Sequence, residues 1–105
     1  MKYKHPTWLE KTKRASHAIN KLTNGTLEYV PHLKMYECVF TDEYKDDGKS
    51  FTEMASVVIL TDVDDTKENR HLAMVELDKI IHVYAEDLSY CMKQYYKELE
   101  GLKNG

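Results

Sequence analysis

Glycine, proline and cysteine are scarce in this chain: four, two and two among 105 residues. With so few breakers there is no Gly- or Pro-rich linker and no low-complexity tract, and the sequence carries no internal repeat. The two cysteines, Cys38 and Cys91, cannot staple a scaffold and have neither metal nor redox spacing. Each stands in an apolar pattern, where a thiol behaves as a small hydrophobe, so both are expected as reduced core residues. No apolar run approaches the length of a membrane span, and the opening MKYKHPTW has no hydrophobic secretory core. These absences lead us to expect a soluble, cytoplasmic protein with no membrane partner.

Charge of either sign is not in excess overall, with a net charge of -3, but it is unevenly placed. Residues 1–25 carry six Lys/Arg against one acid, and residues 26–65 carry three against ten. Residues 66–105 are close to neutral, with six against seven. Two electrostatically different surfaces follow, neither extreme enough to imply nucleic acid by itself. At 42% apolar and 31% charged, residues 1–105 suit one domain with a modest core.

What the chain does have is a long helical pattern in its last third, 66–103. Met74, Ile81, Leu88, Tyr95 and Leu102 share one heptad position, and Leu77, Tyr84 and Cys91 fall on the other. A second apolar set, Leu72, Val75, Val83 and Tyr90, lies off that seam and suggests a first half buried on two sides. Unbroken, the segment is about 57 Å long. A compact domain of this size has a radius of gyration of about 13 Å. One small domain cannot cover such a helix, so the seam is expected to meet a second copy or another protein. The residues assigned to self-association are Ile81, Tyr84, Leu88, Cys91, Tyr95, Leu99 and Leu102. Eight tyrosines, four of them on this helix, agree with an interface that wants apolar bodies and wet hydroxyls.

Ahead of the long helix, Thr7-Trp8-Leu9-Glu10 has the capping-box pattern, and Trp8, Thr12, Ala15, Ile19 and Leu22 recur on one helical face. A helix over 7–23 is predicted, stopped by Asn24-Gly25, where glycine would supply a left-handed backbone. Residues 26–61 read as sheet. Thr26–Val30 is a short strand ended by Pro31, suited to an edge. Asp47-Gly48 marks a hairpin turn that pairs Asp46 with Lys49, Tyr44 with Phe51, Phe40 with Ala55, Cys38 with Val57 and Tyr36 with Ile59. That register sets Asp42 against Glu53, like charges on the apolar face, so a bulge or a projecting end is expected. The opposite face, with Val39, Met54, Val58 and Leu60, is half apolar and expected to be partly covered. Asp64-Asp65-Thr66 with Glu68 supplies caps for the long helix. The fold class is α+β: an N-terminal helix, a small antiparallel sheet of two or three strands, and a long C-terminal helix on the same sheet face.

Chemistry-bearing motifs are short. VVILTDVDDT resembles the nucleophile motif of haloacid-dehalogenase-like phosphatases, which implies Asp62 as nucleophile and Asp64 as acid/base beside magnesium. That chemistry also needs a later Lys and further acids on separate parallel strands, whereas only 39 residues follow Thr66 and read as helix. Capping acids explain the motif better. As a calcium loop counted from Asp62, its sixth position is Lys67 and its twelfth Ala73, the wrong residues for both. Gly48-Lys49-Ser50 has no glycine at the upstream position a phosphate loop requires and no strand-to-helix junction. The histidines have no metal spacing, and no Ser or Cys sits in a nucleophile elbow.

No catalytic, metal or cofactor site is therefore expected. Two charged surfaces stand as partner-binding candidates. One is the basic helix face of Lys11, Lys13, Arg14 and Lys21, extended by Lys2 and Lys4; the other is the acidic tip of Asp42, Glu43, Asp46 and Asp47. The expectation is a non-enzymatic homodimer that binds and modulates a larger macromolecule as inhibitor or adaptor, in the style of phage and mobile-element proteins. Its alternative is a nucleic-acid-binding module using the basic helix.

Overall fold

The computed structural model describes residues 7–104. Helix α1 (Trp8–Thr23) leads into strand β1 (Thr26–Val30), a single 3-10 turn (Pro31–Leu33), strands β2 (Met35–Asp46) and β3 (Lys49–Thr61), and helix α2 (Lys67–Asn104). The strands form one antiparallel sheet in the order β1-β2-β3, so the fold is α+β. Lys2 and Lys4 of the expected basic face lie outside the described residues.

Both helices begin on threonine caps. The Thr7 hydroxyl accepts from the Glu10 amide at 3.2 Å, the first bond of the predicted box. For α2 the cap is Thr66, whose hydroxyl accepts from the Asn69 amide at 3.0 Å. Asp64 and Asp65, expected as caps, pair elsewhere: Asp64 with Lys34, and Asp65 with Arg70 and the Tyr36 phenol. Helix α2 is continuous over 38 residues. At 1.5 Å per residue it sets the long axis of a 58 × 33 × 22 Å molecule. The radius of gyration, 18.0 Å, is well above the compact value.

The hairpin turns as its sequence dictates. Asp47 and Gly48 both take positive φ, 54° and 78°, the type I′ turn whose twist matches the strands. Pairing follows the expected register from Asp46–Lys49 to Cys38–Val57. There it departs: Tyr36 faces Leu60 instead of Ile59, because a bulge between Tyr36 and Glu37 leaves Ile59 as the extra residue. The Asp42–Glu53 pair is retained without a bulge, for an electrostatic reason given below.

Gly25 corrects another expectation. Its φ is not positive, so conformational freedom is not its purpose. A Cβ there would stand 2.5 Å from Cys38 Sγ and 3.0 Å from the Val39 carbonyl oxygen. Glycine is required because the chain leaving α1 passes directly over β2.

Both helices lie on the sheet face that carries Tyr36, Cys38, Phe40 and Val57. Helix α1 packs chiefly along α2 and touches β2 through its last turn, where the Cys38 thiol donates to the Leu22 carbonyl at 3.7 Å. Ala15, Leu22, Tyr36, Cys38, Ala73 and Cys91 are buried, a small core for a chain of this length. The opposite sheet face is only partly covered, with Val39 and Leu60 half-buried and its centre open. Met54 is 70% and Val58 50% exposed.

Candidate functional site

The heptad seam of α2 is largely its own packing stripe. Ala73 and Cys91 are buried, and Leu77, Ile81, Leu88 and Tyr95 are half-buried at 3-4 spacing on one side of the helix. Helix α1 lies along this stripe: Trp8, Lys11, Arg14 and Ala15 line a groove of about 430 Å³ with Tyr84, Asp87, Tyr90 and Cys91. Of the seven residues assigned to self-association, Cys91 is therefore closed off by α1. Ile81, Leu88 and Tyr95 are half-closed by the chain itself, and Tyr84 keeps partial exposure. Leu102, 79% exposed, continues the seam beyond its cover, and Leu99, at the edge of the seam, is no more exposed than Tyr84.

Open apolar surface lies instead on the flanks. Of the set Leu72, Val75, Val83 and Tyr90 expected on a second buried side, Val75 is half-buried and the other three are exposed; α1 meets this flank at Tyr90, through Trp8. On the other flank Met92, Tyr96 and Leu99 follow at i, i+4 and i+7 and are exposed too. Sequence reasoning passed over Met92 and placed Met54 only as part of the half-apolar outer sheet face. Their signal was present, in the 4-3 spacing of Met92 to Tyr96 and Leu99 and in the outward position of Met54 on β3. Tyr90 also has an internal use, with its ring edge-on to Trp8 at 5.7 Å between centroids.

The four basic candidates are dispersed rather than gathered. Lys21 donates to Asp42 at 2.9 Å and its side chain is mostly covered. Its partner's carboxyl is held below the usual carboxylate range, first by that hydrogen bond and against the pull of burial. Lys11 stacks over the Trp8 ring with Nζ 4.2 Å from its centroid, and Arg14 lines the same groove. Lys13 is exposed. Among the acidic candidates, Asp42 belongs to the α1–β2 contact, whereas Glu43, Asp46 and Asp47 stand exposed at the hairpin tip.

Asp62, the implied nucleophile of the short phosphatase-like motif, sits at φ 59° after β3. That strand is the edge of an antiparallel sheet, whereas the resembled chemistry requires a parallel one. Asp64 is tied to Lys34 at 3.3 Å. Burial pushes the Cys38 thiol up, and burial followed by the nearby Asp87 charge does the same to Cys91. Raised thiols are poor nucleophiles. Burial, then the bond to Asp65, likewise raises the Tyr36 phenol, which donates to Asp65 at 2.6 Å. Among the described residues no three His, Cys, Asp or Glu side chains gather at metal-binding distance, and no helix is long and apolar enough to cross a membrane. Compared with protein-family models, with curated proteins and with solved structures, the chain finds no match in any of the three.

Proposed function

We propose that this protein is a non-enzymatic interaction module, a homodimer that binds and modulates a larger macromolecule as an inhibitor or adaptor. The observation that supports this reading is the far half of α2, where Met92, Tyr96, Leu99 and Leu102 stand exposed on a rigid helix. Apolar residues at helical spacing that stay open to solvent in part, as Met92 and Leu99 do, or largely, as Tyr96 and Leu102 do, are the form in which a helix fits another protein's groove. Tyrosine and methionine suit such contacts, one as an amphipathic anchor and the other as an adaptable filler. The test uses the intact chain and a Tyr96→Glu/Leu99→Glu variant, each immobilised and exposed to extract of the native cell. A macromolecule retained by the first and lost by the second agrees with the proposal. Identical capture by both would overturn it.

A second reading has one observation in its favour. The α1–α2 groove sets the rings of Trp8 and Tyr90 beside the cations of Lys11 and Arg14. Aromatic faces with neighbouring positive charge are how single-stranded nucleic acids are held without sequence preference. This reading requires affinity for single strands that falls steeply with salt and with Arg14→Glu. Salt-independent or absent binding rejects it.

A further inference from the structure

The groove between α1 and α2, about 430 Å³ in volume, is of the size that takes a small molecule. Ala15 and Cys91, both buried, lie at its base. From α1 its walls receive Trp8, Lys11 and Arg14, and from α2 they receive Asp87 and Tyr90. Lys11 and Arg14 stand at i and i+3, so only about 4.5 Å of helix rise separates them. Two cations so spaced on one face converge on a single anionic group. The other basic residues of α1 do not extend them, since Lys13 is outside the groove wall and Lys21 is bound to Asp42. The groove therefore offers a place for one phosphate rather than for a row of them.

Its charges are available to a ligand. Among the described residues Arg14 and Asp87 have no ion-pair partner. Lys11 has the Trp8 ring, whose centroid is 4.2 Å from its Nζ. That contact holds the ammonium at the groove and fills the indole face, so a cationic ligand finds the site taken. An anion meets two cations instead. Tyr90, set edge-on to Trp8 and 55% exposed, is the open ring on which a flat body stacks. Asp87 accepts only from N–H or O–H donors, and it repels a second anionic group.

We propose that this groove binds a single nucleotide, with its phosphate on Lys11 and Arg14, its base on Tyr90 and the base's N–H edge toward Asp87. Guanine presents two adjacent N–H donors to one carboxylate, from a ring nitrogen and from its exocyclic amine. Thymine presents one N–H between two carbonyl oxygens, which a carboxylate repels. Guanine is therefore preferred over thymine. The inference rests on the second reading above and deepens it, naming the unit bound and the base; it is independent of the homodimer.

Trp8 is the chain's one tryptophan, so its fluorescence reports on this groove. The intact chain is titrated at low salt with guanosine monophosphate, thymidine monophosphate and a single-stranded oligonucleotide of mixed sequence, by fluorescence and by calorimetry. Saturable binding of guanosine monophosphate, weakened about tenfold or more in Arg14→Gln, is expected. Thymidine monophosphate should bind the parent chain more weakly, and Asp87→Asn should bring the two nucleotides together. Both substituted side chains are exposed, so each variant should keep the parent's circular dichroism. Binding unchanged in Arg14→Gln places the ligand elsewhere and overturns the site. Equal binding of the two nucleotides by the parent chain overturns the Asp87 contact and the guanine preference with it. Binding of the strand without either nucleotide overturns the single-nucleotide site and leaves the second reading standing. No heat and no fluorescence change with any of the three overturns both.

Discussion

Lys21 on α1 reaches across to Asp42 on β2 at 2.9 Å, and this contact is why Asp42 and Glu53 can stand opposite each other on the helix-facing side of the sheet. His17 approaches the same carboxylate at 3.8 Å. The depressed Asp42 carboxyl means that deprotonated Asp42 favours the folded state. Its contribution is present above the unfolded value of about 3.9 and lost as pH falls through the lower folded value. Lys21→Met should therefore move the Asp42 carboxyl titration upward, measured by carbon NMR. It should also remove the part of the acid-dependent loss of Tm that Asp42 carries.

Gly25→Ala should destabilise the fold by about 1–3 kcal/mol, since the new methyl meets Cys38 Sγ and two backbone carbonyls. Thermal or urea unfolding measures it. Adding Cys38→Ala removes the nearest obstacle and should restore part of the loss. Full stability in Gly25→Ala alone would contradict the close crossing of α1's exit over β2.

How much of this was legible beforehand depends on whether a feature was local. Asp47-Gly48 specified its turn because Asp-Gly readily takes the two consecutive positive-φ positions of a type I′ hairpin, and the register as far as Cys38–Val57 followed from it. The 3-4 pattern of Leu77, Ile81, Tyr84, Leu88, Cys91 and Tyr95 was also legible, but not what it faces. Periodicity marks a buried stripe and is silent on whether α1 or another chain buries it. The bulge at Ile59, the Lys21–Asp42 pair and the Tyr36–Asp65 bond join residues distant in sequence. No local pattern carries them.

The stripe and its open continuation separate in stability measurements. Leu22→Ala, a buried truncation, should cost about 2–5 kcal/mol. Leu88→Glu should also lower Tm sharply, because it drives a charge between α2 and the elements packed on its stripe. Tyr96→Glu, at an exposed site, should change stability by no more than about 0.5 kcal/mol. If Leu88→Glu left Tm unchanged, the seam would not be the chain's own core.

Both cysteines should resist a bulky thiol reagent in the folded protein, even in mildly alkaline buffer, since burial raises each thiol and limits access. Labelling should appear only as denaturant opens the fold. Fast native-state labelling of Cys91 would mean that α1 leaves α2 uncovered.

The described chain leaves apolar surface open on α2 and on the outer sheet face. Sedimentation equilibrium of the intact chain over a wide concentration range measures its consequence most directly. If that surface joins two copies, the mass rises to that of two chains as concentration increases. A single-chain mass throughout would contradict it.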